Sequence, residues 1–302
     1  MRRSRVLPPG CATLLALLGS VALAQAPWDA GWDPRSMGGG DCAANPLNCR
    51  EAVNPLPATR TPWLEEMTWM EVRDALAAGQ RTALVPTGGH EPNGPFVALG
   101  KHNVILEANC AAIARRLGNA LCAPVIKHVP EGGIDPPTGH MRSPGTISLR
   151  EDTFRALLTD TAESLIAGGF TEVYFIGDSG GNQAGQAAVA EALGPKHAGR
   201  ARIAHVAPYY DYDAVIRHMA SKGLVETTQE NLHDDAFTTL NMFVVDPESV
   251  RYSARRAAGL ARINGVDLSD PARNRAWGEQ IVEFRAAFTA DAIRKIRGNG
   301  KG

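Results

Sequence analysis

The feature of this sequence that most limits its fold is an alternation of short apolar runs with longer segments of helical periodicity, which begins near Trp63. The apolar runs predict β-strands at residues 82–86, 120–129, 172–176 and 202–207. The helical periodicity predicts helices at residues 65–78, 103–117, 150–167, 183–193 and 271–297. Strands that alternate with helices in this way form a mainly parallel sheet with helices on both faces, so we expect an α/β fold.

A polar segment follows each predicted strand. These segments cover residues 90–102, 131–143, 177–183 and 208–213, and they hold the residues best suited to chemistry. Ligands of open α/β sheets bind outside the carboxyl ends of the strands, where such segments leave the scaffold. We therefore expect the functional site at that edge of the sheet.

The first 26 residues have the three parts of a secretory signal peptide. Arg2, Arg3 and Arg5 form a positive region, residues 11–24 are apolar, and residues 24–26 form a small-x-small cleavage site. The apolar run is shorter than the roughly 20 residues that a membrane-spanning helix needs. We predict that residues 1–26 are removed, that the protein is periplasmic or secreted, and that the mature chain does not contact a membrane.

Composition and charge narrow the class of partner. The chain is 44% hydrophobic and 21% charged, as in ordinary globular proteins. Removing the three arginines of the leader takes the formal charge from −1 to −4. A mildly acidic chain lacks the excess of positive charge that attracts nucleic acid, so we expect a small-molecule partner. Residues 27–60, rich in Gly, Pro and Asn, are predicted to form an extended arm before one α/β domain at residues 61–302.

Four cysteines follow the predicted leader, and export would permit disulfides. Cys42 and Cys49 bracket a loop that contains Asn and Pro, and we predict a bond between them. Cys110 falls on a predicted helix and Cys122 on the strand after it, where a bridge and two buried thiols are both reasonable.

Ordered motifs in the chain resemble those of the creatininase family. The segment from Val85 to Pro95, VPTGGHEPNGP, is similar to the family's first motif, and SPGTISL at residues 143–149 is similar to the family's FPGTiSL. Gly180-Gly181-Asn182 is similar to the end of NGHGGN, and residues 233–250 match the last motif more loosely. The similarity spans roughly residues 65 to 255.

The resemblance implies a three-layer α/β/α domain, with a mainly parallel sheet, that often assembles into homo-oligomers. It further implies a metal-dependent hydrolase that cleaves an amide C–N bond of a small cyclic or linear substrate. Amide hydrolysis at neutral pH needs a nucleophile stronger than free water, and a bound divalent metal supplies it. The expected cofactor is zinc, with manganese as the alternative.

The family's metal ligands are only partly retained. Glu91 coincides with the family's first carboxylate ligand, whereas Asn93 stands where the family has a ligand His. His102 replaces the Asp that bridges two metals, and Ser179 replaces the His of NGHGGN. Gly181 and Thr238 also lack carboxylates that some members carry.

The resemblance, adjusted for these replacements, leads to a specific prediction for the site. Glu91 and His102, helped by Asp178, are predicted to bind the metal. His233 aligns with a family His used in catalysis and is predicted to move the proton. Glu131 and His140 flank a Pro-rich loop and are interpreted as parts of a structural turn.

Two other functions remain open. Gly177-Asp178-Ser179-Gly180-Gly181 fits G-x-S-x-G between a strand and a helix, so Ser179, Asp211 and His233 could form a serine-hydrolase triad. Alternatively, the ligand replacements could mark a relative that has lost its metals and serves as a periplasmic binding or scaffold protein, since one fold can carry many functions.

Overall fold

A computed structural model describes residues 35–36 and 42–298. The predicted signal peptide, residues 1–26, lies outside the described residues. The strands are β1 Thr82–Thr87, β2 Ala120–Cys122, β3 Glu172–Gly177, β4 Arg202–His205, β5 Arg262–Ile263 and β6 Val266–Asp267. The α-helices are α1 Trp69–Ala77, α2 Lys101–Leu117, α3 Glu151–Ala167, α4 Gln183–Lys196, α5 Tyr212–Ala220, α6 Ala236–Val245, α7 Tyr252–Ala257 and α8 Pro271–Gly298.

The chain divides into two units, Met1–Pro57 and Ala58–Gly302. In the first unit a short 3-10 turn, Pro46–Asn48, is capped by the side chain of Asn45. Cys42 and Cys49 form a disulfide across this turn, with Cα atoms 5.4 Å apart. This confirms the predicted pairing.

The second unit is built on a four-stranded sheet in the order β2-β1-β3-β4. All three strand pairs are parallel. In the central register, Leu84 of β1 lies opposite Tyr174 of β3, which lies opposite Ala204 of β4. The mainly parallel sheet is therefore confirmed.

Helices cover both faces of the sheet because the central strands are apolar on both. On one face, Val85 and Phe175 pack with side chains of α3 and α4, including Phe154 and Val189. On the other face, Leu84 and Tyr174 pack with α2 and α8 through residues such as Leu106, Ile113 and Ile293. Strands buried on both faces are typical of parallel sheets. The result is the expected three-layer α/β/α arrangement.

Strand β2 is shorter than predicted. It ends at Cys122, whereas the apolar pattern predicted a strand through residue 129. Pro124 follows almost at once and has no N–H to donate to a ladder, which stops the regular pairing. Only isolated bridges continue, at Ile126 and Val129. The chain between β2 and α3 is thus an irregular segment that passes over the carboxyl edge of the sheet.

Cys110 and Cys122 form a second disulfide, with Cα atoms 6.2 Å apart, which joins the middle of α2 to β2. Of the two readings left open by the sequence, the bridge is the one observed. Two disulfides are compatible with an exported protein. Within residues 35–36 and 42–298, none of the helices has the length and apolar character needed to cross a membrane.

Candidate metal centre

A cavity of about 560 Å³ opens at the carboxyl edge of the sheet. Each of the four predicted polar segments contributes to its wall, with Glu91, His140, Asp178 and Tyr210 as examples. A fifth segment, before and within the start of α6, adds His233, Asp235 and Thr238. Because the strands are parallel, their carboxyl ends converge here and bring together residues that are far apart in the chain.

Glu91 is the hub of this cavity. Its Oε1 lies 2.7 Å from Lys101 Nζ and 3.0 Å from His102 Nε2. The same oxygen lies 3.1 Å from His233 Nδ1, and Oε2 lies 3.1 Å from His140 Nδ1. Burial would raise the pKa of Glu91, but the hydrogen bonds from His102 and His233 and the nearby Lys101 ammonium hold it far below its usual range. Glu91 is therefore a carboxylate surrounded by nitrogen.

The three predicted metal ligands lie together, but as a hydrogen-bonded chain. His102 joins them, with Nε2 on Glu91 and Nδ1 2.9 Å from Asp178 Oδ2. Asp178 in turn accepts a 2.6 Å hydrogen bond from Arg285 and one from the Tyr212 hydroxyl. Burial alone would raise the pKa of Asp178, but the Arg285 charge and the His102 hydrogen bond lower it. Both ring nitrogens of His102 are thus engaged by carboxylates.

A different set of donors converges on the other side of Glu91. One donor atom each from Glu91, His140 and His233 lies within 4.8 Å of the others. The two imidazole rings meet edge to face, with centroids 5.2 Å apart. One carboxylate oxygen and two imidazole nitrogens form a donor set typical of zinc, with room for a further ligand. The residues present here fit a divalent cation.

Glu131 lies beside this set. Its side chain is 2% exposed, and Oε2 lies 3.1 Å from His140 Nδ1. Its Oε1 is buried and has no hydrogen-bond partner within the described part of the chain. Burial, followed by the charge of Glu91, raises the pKa of Glu131 to about 8. A buried oxygen without a partner is unusual in folded proteins, so Glu131 stands out beside the donor set of Glu91, His140 and His233.

The backbone at His233 is held in an uncommon conformation. Its φ angle is 51°, in the left-handed region that non-glycine residues seldom adopt. Nδ1 also lies 3.2 Å from the Pro92 carbonyl oxygen. The next residue, Asp234, forms a buried 2.5 Å ion pair with Arg255, and Asp235 caps α6. These contacts fix His233 over Glu91, and strain of this kind concentrates at functional sites.

The structure does not join the residues of the serine-hydrolase interpretation. Ser179 lines the cavity, but its hydroxyl makes no hydrogen bond to the described residues. His233 Nδ1 is directed at Glu91 and Pro92, as above. Asp211 caps α5 by accepting a hydrogen bond from Ala214 N. No Ser–His–Asp chain is present among these residues, so this interpretation has no geometric support.

Sequence reasoning missed part of this site. His140 and Glu131 were interpreted as a structural turn, yet both reach Glu91 or its neighbours because the segment after β2 passes over the cavity. The available signal was that His140 lies three residues before the first residue of the SPGTISL motif. Lys101 and Arg285 were not singled out, and nothing local in the sequence marks Arg285, which lies in the middle of α8.

Comparisons with known proteins agree with this architecture. No curated protein matches the chain. Among solved structures, a zinc–zinc form of a mutant creatininase and a manganese creatininase each have a TM-score of 0.56 and 23% identity, over 78% of this chain and 98% of that chain. A creatinine amidohydrolase (creatininase) has a TM-score of 0.53 and 21% identity, over 80% of this chain and 98% of that chain. At these identities the likeness establishes the fold.

The family is established by sequence. The model of the creatininase family, described as creatinine amidohydrolase, matches residues 65–291, which is well over half of the chain. The motif around Glu91, the SPGTISL segment and Gly180-Gly181-Asn182 all lie inside that range, and Glu91, Gly180 and Gly181 line the cavity. This chain therefore belongs to the creatininase family.

Proposed function

We propose that this protein is a metal-dependent amidohydrolase that cleaves an amide C–N bond in a small cyclic or linear molecule. The observation that carries the proposal is the convergence of donor atoms from Glu91, His140 and His233 within 4.8 Å of one another, at the wall of a cavity of about 560 Å³. A cavity of this volume suits a small molecule. Membership of a family of amidohydrolases supports the reaction class.

Glu91, His140 and His233 would hold the cation, and zinc fits this mixed oxygen and nitrogen set best, with manganese as the alternative. When bound, such a cation makes water a stronger nucleophile and polarises an amide carbonyl. His140 and His233 come from separate segments of the chain, so each must be positioned independently. The contact of His140 with Glu131 and that of His233 with the Pro92 carbonyl orient the two rings.

Another part of the cavity wall can bind the substrate. Ser179 and Gly180 line the cavity where β3 ends and a 3-10 turn, Gly180–Asn182, leads into α4. The first N–H groups of a helical segment have no partner within it, and such groups can stabilise a developing oxyanion. A Cβ atom on Gly181 would collide with the Pro130 carbonyl oxygen, so glycine is required for this close approach.

The test is metal content measured together with turnover. Untagged full-length protein is dialysed with Zn²⁺ or Mn²⁺, analysed by elemental mass spectrometry and assayed on a panel of cyclic and linear amides. We expect retained metal and a chelator-sensitive hydrolysis. His140→Ala should lose about 10- to 100-fold or more in metal affinity, whereas His218→Ala, on α5 and outside the cavity, should match the wild type. Wild-type protein that retains no metal would refute the proposal.

A binding protein without catalysis is the second candidate. The observation that favours it is that Glu91 already has four nitrogen partners, so its charge is compensated by the protein alone. Ligand binding without hydrolysis under either metal would support this alternative.

Export to the periplasm or medium is supported by the two disulfides. Light scattering tests the homo-oligomer that we also propose.

A further inference from the structure

We infer that this site holds one divalent cation per chain, and that the ammonium of Lys101 supplies the second positive charge beside Glu91. The inference rests on the function proposed above. It follows from the unequal surroundings of the two sides of the Glu91 carboxylate. We call them the histidine side, formed by His140, His233 and Glu131, and the lysine side, formed by Lys101, His102, Asp178 and Arg285.

Lys101 is buried where a lysine is not expected. Its side chain is 6% exposed, and Nζ lies 2.7 Å from Glu91 Oε1. It is the first residue of α2, at the end of the helix where the dipole repels a cation. A buried charge at that place is costly unless it is paired. Helix stability does not explain this residue, but its ion pair with Glu91 does.

On the rest of the lysine side, the atoms that could bind a metal ion already have partners within the protein. Both nitrogens of His102 are within 3.0 Å of carboxylate oxygens. Asp178 is buried and holds Arg285 at 2.6 Å. Glu91 and Asp178 therefore already face two protein cations, Lys101 and Arg285, and the imidazole of His102 lies between them. A cation placed here would meet both protein cations and would have to displace existing hydrogen bonds.

The histidine side has the opposite character. Among the cavity-lining residues, no Lys or Arg contacts His140, His233 or Glu131 in the described part of the chain. The buried Oε1 of Glu131 also lacks a partner here. A single divalent cation can be accommodated on this side while Lys101 stays on Oε1, the Glu91 oxygen that it shares with His102 and His233.

The experiment counts bound cations and measures their affinity. Untagged full-length protein is titrated with Zn²⁺ and with Mn²⁺ by calorimetry, and the bound metal is counted after equilibrium dialysis. We expect one cation per chain in the wild type. Lys101→Met should bind it about tenfold more tightly, because one unit charge near a divalent cation has been removed. Lys101→Arg keeps the charge and should match the wild type.

The control for overall charge is Lys196→Met, since Lys196 is exposed at the end of α4 and does not line the cavity. Two cations per wild-type chain, or unchanged or weaker binding by Lys101→Met, would overturn the inference. Two bound cations per chain would contradict this inference but agree with the proposed function. No bound cation would contradict both the inference and the proposed function. The wild-type count decides the question even if Lys101→Met does not fold.

Discussion

Helix α8 supplies an arginine to each end of the same sheet, and the two ends differ. At the carboxyl end, Arg285 pairs with Asp178, and the two side chains are 3% and 0% exposed. At the amino end, Arg297 pairs with Glu172, and these are 24% and 19% exposed. Arg297 also donates hydrogen bonds to Thr82 and Asn119. The Arg285–Asp178 pair is therefore buried, whereas the Arg297–Glu172 pair is partly exposed to water.

The two pairs differ in how much hydration they keep and in what each is connected to. A partly exposed ion pair retains hydration and makes a small net contribution. A fully buried pair usually costs as much in lost hydration as it gains, so its retention calls for another reason. At the carboxyl end that reason is the chain from Arg285 through Asp178 and His102 to Glu91, which positions the carboxylate at the candidate metal centre.

The largest expected effect comes from breaking the buried pair. Arg285→Met leaves the Asp178 carboxylate buried without its cation, which should lower the free energy of unfolding by about 3–5 kcal/mol. Urea denaturation measures it. Adding Asp178→Asn to the same protein should recover part of the loss, because the uncompensated charge is gone. A loss below about 1 kcal/mol would mean that the buried pair behaves like a surface pair.

The next largest effect on stability is expected from removing the disulfide that anchors helix α2, which carries part of the lysine side. The Cys110–Cys122 disulfide fixes α2, whose first turn carries Lys101 and His102, to β2. Replacing both cysteines by alanine should lower the free energy of unfolding by about 2–3 kcal/mol, as expected for a loop of this length. Wild-type protein unfolded in the presence of a reductant should approach the variant. Equal stability of the oxidised wild type and the variant would contradict the prediction.

The exposed pair should tolerate the same change better. Arg297→Met removes its hydrogen bonds to Glu172, Thr82 and Asn119, yet water can reach Glu172, and the buried Thr82 hydroxyl keeps its hydrogen bond to that carboxylate. We expect a loss of about 1–2 kcal/mol by urea denaturation. A loss as large as that of Arg285→Met would erase the distinction between the two ends.

The smallest effect is a pH dependence at the amino end. Burial would raise the pKa of Glu172, but hydrogen bonds from Arg297 and Thr82 lower it below its usual value. Its contribution to stability is therefore complete above the unfolded-state pKa of about 4.3 and is lost as the pH falls through the lower, folded-state value. Glu172→Gln should be less stable than the wild type at pH 7 by urea denaturation, and the gap should narrow as the pH falls below the unfolded-state pKa.

Much of the fold was predictable from local patterns. Strands β1 and β3 are buried on both faces, and such apolar runs can be recognised in sequence. The end of β2 was misplaced because the apolar run continues past Pro124. Helices α5, α6 and α7 were not predicted. They are short, and their sequence signals are single capping residues such as Asp211 and Asp235.

The candidate site was predictable only where a motif marked it. Glu91 lies in a recognisable loop, and it is the hub of the observed cluster. His140 depends on the path of the irregular segment after β2, which no local periodicity encodes. Arg285 depends on how α8 packs against the sheet, since it lies more than 100 residues from Asp178 in the chain. Long-range packing of this kind leaves no trace in one sequence.

The position of Arg285 near the end of the chain has a consequence for biosynthesis. Polypeptides emerge from the ribosome amino end first, so β3 and the Asp178 carboxylate are made long before α8. Until that last helix arrives, the acid has no guanidinium to neutralise it and must stay hydrated. We expect a nascent chain truncated before residue 271 to leave this edge of the sheet open to water, and the candidate metal centre to be completed only as a final event of maturation.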